Sequence, residues 1–402
     1  MKLLHISDLH LGKRLNEFNL LEDQEYILNQ ILDIAKAEEP DGILIAGDVY
    51  DKSIPSAEAV SLFDKFLTRL AGMEFDNNKK LKIFIISGNH DSAERVAFGA
   101  DLIKNSGVYI SPVYDGNISP VELQDEYGKV YVYMLPFIKP VHVREALRKI
   151  YKNQKTEEEI KQEIDDKIKN YTDAARAAVS RMGIDKTARN ILIAHQFVTG
   201  AARSDSETVS VGGLDNIDGD VFDDFDYVAL GHLHGPQSVG RESVRYCGTP
   251  LKYSFSEKDQ KKSVTVIELA AKGDILIQTA DLIPKRDLRE LRGFYQDLTL
   301  RENYKNINTD DYIRIILTDE NEIPDAMIKL RGIYKNLMEI QYDNKRVKAE
   351  ADLRGGANPE RRSPMEIFAE FYQEQNNCEL SPEQEKYARK LMENIWESNY
   401  DE

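Results

Sequence analysis

The amino-acid sequence predicts a protein of the α/β class (α+β in its overall mixture), with a large first domain, a small α/β domain and a C-terminal helical tail. Two observations support the large domain. Continuous apolar runs, which are typical of strands buried on both faces, alternate with amphipathic helical stretches. Five of these runs end abruptly in residues that bind metals. Ligands of open α/β sheets gather at the carboxyl ends of strands, so the pattern also predicts a site there.

The five strand-end motifs share an apolar approach and a polar ending. They are Leu4–His10 with Asp-x-His, Ile43–Asp48 with Gly-Asp, Ile83–Asp91 with Gly-Asn-His-Asp, Asn190–His195 with His, and Tyr227–His234 with Gly-His-x-His. Asp8 and His10 are two residues apart, so a strand that continued to His10 would turn both toward one site. Five of the seven histidines lie in the polar endings of these motifs, which random placement would not produce: His10, His90, His195, His232 and His234. His5, beside the first strand, and His142 lie outside those endings and receive no role.

Helices and further strands connect these motifs in chain order. Apolar residues recurring at three and four positions predict helices over about Leu20–Glu38, Ser56–Leu70 and Ala93–Asn105, and β-structure is expected between Gly107 and Lys139. The highly charged stretch Val143–Met182 is predicted to form one or two solvated surface helices. A hairpin, Val264–Leu269 with Ile275–Ile277, closes the large domain near Leu282.

Two further units follow, so we divide the chain into residues 1–282, 283–345 and 346–402. The second unit has predicted strands at Tyr312–Leu317 and Leu337–Tyr342 around a helix at Pro324–Asn336. After a linker at Gly355–Pro359, two short amphipathic helices start at Ser363 and Ser381, each with proline next and glutamate or glutamine in the first turn. Neither helix can bury its apolar face alone, so we expect them to dock on their own domain or on a partner.

The composition excludes several classes of protein. With 402 residues, 41% hydrophobic and 31% charged, the chain is an ordinary globular protein. No apolar run approaches the ~20 residues of a membrane-spanning helix, and two cysteines are too few for a disulfide framework. We therefore expect a reduced, cytoplasmic protein without a membrane partner. The net charge of -17 argues against a broad basic DNA-binding surface, but bound divalent metals could still attract a phosphodiester.

Seven side chains at the strand ends are candidate metal ligands: Asp8, His10, Asp48, Asn89, His195, His232 and His234. One ion cannot easily use all of them, whereas two adjacent ions with a bridging carboxylate can. Imidazole and carboxylate donors without thiolate fit manganese, iron or zinc, and such a pair suits phosphoester hydrolysis. His90 is the candidate acid that protonates the leaving oxygen, with Asp91 orienting it; a hydrogen-bonding role is the alternative. Asp51 is either a supporting carboxylate or a turn residue.

The order of these motifs resembles that of the calcineurin-like metallophosphoesterase superfamily over about residues 1–282. The stretches that resemble, within it, the SbcD family of bacterial nuclease subunits are Ile6–Gly12, Gly47–Asp51, Leu230–Gln237, and Tyr246–Leu251 with Ser254–Glu257. The resemblance implies a four-layer αββα sandwich, a catalytic His90 and two manganese ions. It implies one ion held by Asp8, His10, Asp48 and His234, and the other by Asp48, Asn89, His195 and His232.

The same resemblance implies a substrate and partners. The substrate is DNA, cleaved as an exonuclease at duplex ends and as an endonuclease at single strands and hairpins, in DNA repair and replication-associated processing. The partner is an SbcC-type ATPase; the sequence lacks a phosphate-binding Gly-x-x-x-x-Gly-Lys-[Ser/Thr] loop, so that partner would bind the ATP. A homodimer within a heterotetramer is implied, with contacts near Ser56–Leu70 and Ala93–Asn105. Residues 283–345 would form a DNA-binding cap, and the tail would bind the partner.

Two other functions compete with this one. A small-molecule phosphodiesterase or phosphatase of the same superfamily would have nearly the same metal site, but it would not need the small domain and the helical tail. A non-catalytic scaffold with the same fold would be expected to lose ligands, yet all seven candidates and His90 are present.

Overall fold

Two six-stranded sheets pack face to face in the computed structural model, which describes residues 1–75, 79–207, 215–344, 364–376 and 378–398. One apolar core lies between the sheets, and a further core lies between each sheet and the helices on its outer face. These three cores separate four layers. The predicted αββα sandwich is therefore confirmed.

The first sheet carries three of the five motifs on neighbouring parallel strands. In spatial order its strands are Ile275–Asp281, Ser263–Leu269, Lys2–Ile6, Gly42–Ala46, Lys82–Ile86 and Val108–Ser111. The last four are parallel, and the predicted hairpin adds two antiparallel strands at one edge. The helices on its outer side are Leu21–Glu38, Ala57–Ala71, Ala93–Val96 and Ala100–Ile103.

The second sheet carries the other two motifs on adjacent central strands. In spatial order its strands are Gln237–Val239, Arg241–Tyr246, Tyr227–Gly231, Arg189–His195, Gly128–Leu135 and Val121–Asp125. The four inner strands are parallel, and the edge strands are antiparallel. The helices outside it are Pro140–Tyr151, Glu157–Ile160 with the π-helical turn Lys161–Asp165, and Tyr171–Ser180. The strand ends of the two sheets face one another, since the ring of His195 lies 2.8 Å from the carbonyl of Ala46.

The small domain is a three-stranded parallel sheet with its own core. Its strands are Leu288–Gly293, Tyr312–Leu317 and Leu337–Tyr342, and its helices are Tyr295–Thr299, Arg301–Tyr304 and Ala326–Arg331. The domain is tied to the first helix of the large domain through buried Asp23. The hydroxyl of Tyr312 donates to Asp23 at 2.7 Å, and Arg286 donates to it at 3.0 Å.

The tail consists of helices Pro364–Asn376 and Pro382–Ser398, which pack on each other around Met365 and Ala388. The predicted start at Ser381 is confirmed. Its hydroxyl accepts from the backbone N–H of Gln384 at 3.2 Å, and the Gln384 side chain accepts from the backbone N–H of Ser381. Ser363 and the linker Gly355–Pro359 lie outside the described residues. Among the helices of the described chain, none combines the length and the apolar character that crossing a membrane requires.

Several predicted elements differ from those observed. The helix expected at Ala93–Asn105 is broken at Gly99, whose left-handed φ of +76° interrupts the helical ladder. The helix expected at Pro324–Asn336 spans only Ala326–Arg331. Strand Leu288–Gly293 was not predicted, because its charged residues interrupt the alternation of apolar and polar side chains that would indicate a strand.

The charged stretch Val143–Met182 is also more buried than expected. Its helices are not merely solvated, since Ile160, Ile164 and Ala174 belong to the core beneath the second sheet. His142 lies in the first turn of helix Pro140–Tyr151.

Candidate metal centre

The backbone departs from regular strand geometry where the candidate ligands begin. Strand Lys2–Ile6 ends before Asp8, so Asp8 and His10 share a site through a loop and not through strand alternation. Both are in the left-handed region, with φ of 53° and 43°, as is Asp48 with φ of 50°. Such conformations cost about 1–3 kcal/mol per non-glycine residue and recur at functional sites. The loop is held by backbone hydrogen bonds from Asp8 to Gly47 and from His10 to Asp48, each 3.0 Å long.

Two glycines let the motifs approach one another. A Cβ atom on Gly88 would collide with the backbone and carboxylate of Asp48, and one on Gly231 would collide with the carbonyl of Ala46. Glycine therefore allows the strand ends of the two sheets to meet without an intervening side chain.

One group of donors converges around Asn89 at the junction of the two sheets. The amide oxygen of Asn89 lies 3.0 Å from Nε2 of His195 and 2.9 Å from Nδ1 of His232. Nε2 of His195 is also 3.3 Å from Oδ2 of Asp48. The other ring nitrogen of His195 faces the carbonyl of Ala46, so Nδ1 carries a proton and Nε2 is the nitrogen that faces the site.

A second group converges around His10. Its Nε2 lies 3.2 Å from Nε2 of His234 and 3.7 Å from Oδ2 of Asp48. Ligand atoms of Asp8, His10 and His234 all lie within 4.8 Å of one another, as do those of Asp8, Asp48 and His195. Asp48 thus contacts both groups, as a bridging carboxylate would.

Burial and neighbouring charges shift the pKa values of these groups in opposite directions. Burial, aided by the charge of Asp48, raises the pKa of Asp8 to about 6. Burial lowers the pKa of His195, but the adjacent Asp48 carboxylate outweighs it and raises that pKa to about 9. Burial lowers the pKa values of His10 and His232 well below their ordinary value. His10 and His232 are therefore uncharged at neutral pH, so each imidazole can donate a lone pair to a metal ion.

His90 lies beside the two groups with one ring nitrogen engaged. Its Nδ1 is 3.0 Å from the backbone carbonyl of Asp51, and its ring meets that of His10 edge-on at 4.9 Å between centroids. Its backbone N–H donates to Oδ1 of Asp48 at 2.9 Å. Asp91 does not orient the His90 ring as expected, because its carboxylate accepts from the backbone N–H groups of residues 49, 50 and 88.

Asp51 is more than a turn residue. Its carbonyl holds His90, and its carboxylate accepts from the ammonium of Lys13 at 2.7 Å. The same carboxylate lies 3.8 Å from Nδ1 of His10. Asp51 therefore lies next to both His10 and His90, with its carboxylate near the first ring and its carbonyl near the second.

The donor set fits a pair of divalent ions. The seven candidates supply imidazole nitrogens, carboxylates and one amide oxygen, without a thiolate, which suits borderline cations such as manganese, iron or zinc. Six of them are buried; Nε2 of His10 lies 3.2 Å from Nε2 of His234, and the amide oxygen of Asn89 lies within 3.0 Å of a ring nitrogen of His195 and of His232. Cys247 is buried against Ser7, and burial raises its pKa.

Comparison with known proteins places this centre in a family. Residues 1–236 match the family described as calcineurin-like phosphoesterase, and residues 284–376 match the type 5 capsule protein repressor C-terminal domain. The chain is 33% identical over 399 residues to the D subunit of the nuclease SbcCD from Staphylococcus epidermidis, with 98% of each chain covered. The chain belongs to the SbcD family of calcineurin-like phosphoesterases. It is thus a hydrolase of the phosphoesterase type.

Two solved structures were also matched. A dimetal phosphatase from Danio rerio and a protein of Thermus thermophilus each align at a TM-score of 0.38 and 12% identity. Each alignment covers 70% of this chain, with 96% of the zebrafish chain and 99% of the Thermus chain.

Sequence reasoning missed the residues of this SbcD-family chain that support the ligands from behind. Gln24, buried on helix Leu21–Glu38, donates to the carbonyl of His10 at 2.7 Å, and the Tyr253 hydroxyl donates to that of Leu9 at 2.6 Å. Glu257 belongs to the Ser254–Glu257 stretch that resembles the family, but nothing in its spacing indicated a role. A buried glutamine in an otherwise apolar helix stripe is the one signal that could have pointed to Gln24.

Proposed function

We propose that this chain is the metal-dependent DNA nuclease subunit of an SbcCD-type complex. The observation that carries the proposal is the convergence of seven donors into two groups joined by Asp48, in a chain of the SbcD family. The proposed activities are those implied by the family: exonuclease action on duplex ends and endonuclease action on single strands and hairpins.

We assign the donors to two ions, with manganese as the proposed metal. Asp8, His10, Asp48 and His234 would hold one ion, and Asp48, Asn89, His195 and His232 the other. Two such ions lower the pKa of a water molecule and neutralise charge on the phosphoryl oxygens.

The proton for the leaving oxygen would come from a residue of the chain itself, His90. His90 keeps its Nδ1 proton on the carbonyl of Asp51, which fixes the orientation of the ring. The protonated ring can therefore give its Nε2 proton to the leaving 3′ or 5′ oxygen of the cleaved strand. Asp51 sets the position of that carbonyl through its ion pair with Lys13.

The charges of the chain determine where it can attract DNA. Several basic side chains of the small domain are engaged in ion pairs, including Arg289 with Asp311 and Arg314 with Glu339. Near the centre, Lys13 and Arg203 pair with Asp51 and Asp215 in the same way. The proposed ions and a more basic partner chain would therefore supply much of the attraction for a backbone phosphate.

The remaining expectations from the family are part of the same proposal. Residues 283–345 would act as a DNA-binding cap, and the tail would bind an SbcC-type ATPase in the cytoplasm. Ile367, Phe371 and Tyr387, which the packed tail helices leave exposed, supply an apolar surface for such a partner. A homodimer would use helix Ala57–Ala71 and the stretch Ala93–Asn105.

Incubation of the purified chain with Mn²⁺ and a labelled hairpin duplex tests the proposal, with Asp48→Ala as the control. Cleavage by the wild type alone is expected. Equal cleavage by both proteins would contradict it. If only a small phosphodiester is hydrolysed, even after an SbcC-type partner and ATP are added, the chain is the small-molecule phosphodiesterase of the competing hypothesis.

A further inference from the structure

We propose that Glu257 is a positioning residue for the metal centre: acting through Ser206, it holds His234 in the tautomer whose Nε2 lone pair faces the ion held with Asp8 and His10. The inference deepens the proposed function and rests on its assignment of His234 as a ligand. Glu257 itself touches neither the ion nor the substrate.

The contacts behind His234 define the direction of each hydrogen bond. Oγ of Ser206 lies 2.6 Å from Nδ1 of His234 and 2.5 Å from Oε1 of Glu257. A carboxylate only accepts, so the hydroxyl proton of Ser206 points to Glu257. The hydroxyl oxygen then accepts the Nδ1 proton of His234. Nε2 is consequently the unprotonated nitrogen, and it is the atom that lies 3.2 Å from Nε2 of His10.

Lys262 holds the Glu257 carboxylate in place. Both side chains are buried, and Nζ of Lys262 lies 2.6 Å from Oε2 of Glu257. The same ammonium donates to the backbone carbonyl of His234 at 2.9 Å and to the hydroxyl of Thr249 at 2.7 Å. A buried ion pair is retained only where its geometry and hydrogen bonds compensate for desolvation. Through this pair, Glu257 contacts the His234 ring by way of Ser206, and Lys262 contacts the His234 backbone.

The contacts of Glu257, Ser206 and Lys262 described above are made with His234, which belongs to one of the two donor groups. His195, in the other group, has its Nδ1 oriented by the carbonyl of Ala46 instead. Removing the orienting partner of a ligating histidine typically weakens metal affinity about 10–100-fold. A change at Glu257 should therefore weaken the ion bound by His234 and spare the ion bound by His195.

Calorimetric titration of the chelator-treated full chain with Mn²⁺ tests the proposal without measuring cleavage. We expect two sites in the wild type. In Glu257→Gln, one site should weaken about 10–100-fold, while the other stays within about threefold. Ser206→Ala should weaken the same site, and Ser206→Thr, which keeps the hydroxyl, should restore it. The matched control is Glu122→Gln, which breaks a different Glu–Lys pair, with Lys129 at 3.0 Å, and should bind both ions normally.

Two results would overturn the proposal. In the first, both sites of Glu257→Gln keep wild-type affinity. In the second, both sites weaken together while the unfolding temperature of the metal-free protein falls, which would assign Glu257 a general structural role. If Glu257→Gln fails to fold, the two Ser206 variants decide, and unchanged affinity in Ser206→Ala refutes the relay. A wild type that binds two ions but cleaves no DNA would contradict the proposed nuclease function alone.

Discussion

Replacing His90 with alanine should separate proton donation from metal binding. The side chain of His90 contacts the carbonyl of Asp51 and the ring of His10. The contact with Asp48 comes instead from the backbone N–H of residue 90, at 2.9 Å. His90→Ala keeps that N–H, so the bridging carboxylate should keep its position and both ions should bind.

The size of the effect follows from the role assigned to the ring. General acid catalysis by a positioned side chain contributes about 10²- to 10⁴-fold. That range corresponds to about 3–5 kcal/mol of transition-state stabilisation. The ring is only half-buried, and its polar contact is a single hydrogen bond to a carbonyl, so its loss should change the free energy of unfolding little.

Two measurements are needed. Calorimetry should show that His90→Ala binds Mn²⁺ with wild-type stoichiometry and affinity, and single-turnover cleavage of a labelled hairpin should be slower by about 10²- to 10⁴-fold. With a bis(p-nitrophenyl) phosphate substrate the deficit should be much smaller, because nitrophenolate leaves without a proton. The matched control is His142→Ala, which removes an exposed imidazole from helix Pro140–Tyr151 and should leave cleavage unchanged.

Normal turnover by metal-loaded His90→Ala would remove His90 from the catalytic role. An equal deficit with the nitrophenyl ester would also refute the argument, because it would place the effect in positioning rather than in protonation of the leaving oxygen.

Three further predictions concern stability. Arg189→Leu should lower the free energy of unfolding by about 3–5 kcal/mol in urea titrations, because it removes a buried guanidinium that donates to backbone carbonyls and to Asp125, whose remaining partners are the N-terminal ammonium and the backbone N–H of Tyr127. Burial raises the pKa of Asp125, but hydrogen bonds from Arg189 hold it well below its ordinary value. The wild type should therefore be more stable than Asp125→Asn, and the difference in free energy of unfolding should be complete above about pH 4. As the pH is lowered further, the carboxylate becomes protonated and the difference should disappear. Tyr312→Phe should destabilise the small domain by about 1–3 kcal/mol, measured by hydrogen exchange, because buried Asp23 loses a donor at 2.7 Å.

The strand-end motifs could be recognised in the sequence, because a strand that is buried on both faces consists of a continuous apolar run. Ile43–Ala46 and Asn190–Ala194 are fully buried, so their polar endings stand out from what precedes them. The reason given for Asp8 and His10 was nevertheless wrong. Left-handed backbone geometry brings them together, and that conformation has no signature in side-chain hydrophobicity. Their functional assignment remains a prediction.

Elements with mixed environments were harder to predict. Strand Leu288–Gly293 lies at a sheet edge, and its charged residues either form ion pairs, as Glu290 does with Arg314 on the next strand, or face solvent, so no alternation marks it. The support of His234 by Glu257 and Ser206 joins residues 51 positions apart. Such contacts depend on how loops from different strands pack, which local patterns do not encode.

The same loops connect the small domain to the metal centre. Glu257 lies on the short 3₁₀ helix Phe255–Glu257, whose neighbouring side chains contact the small domain's sheet. The guanidinium of Arg314 lies 4.3 Å from the centre of the Phe255 ring, and Lys258 pairs with Glu290. A displacement of that sheet would therefore act on the segment that carries Glu257, and through Ser206 on His234. Because buried ion pairs tolerate little change in geometry, the position of the proposed cap and the occupancy of one proposed ion should be coupled.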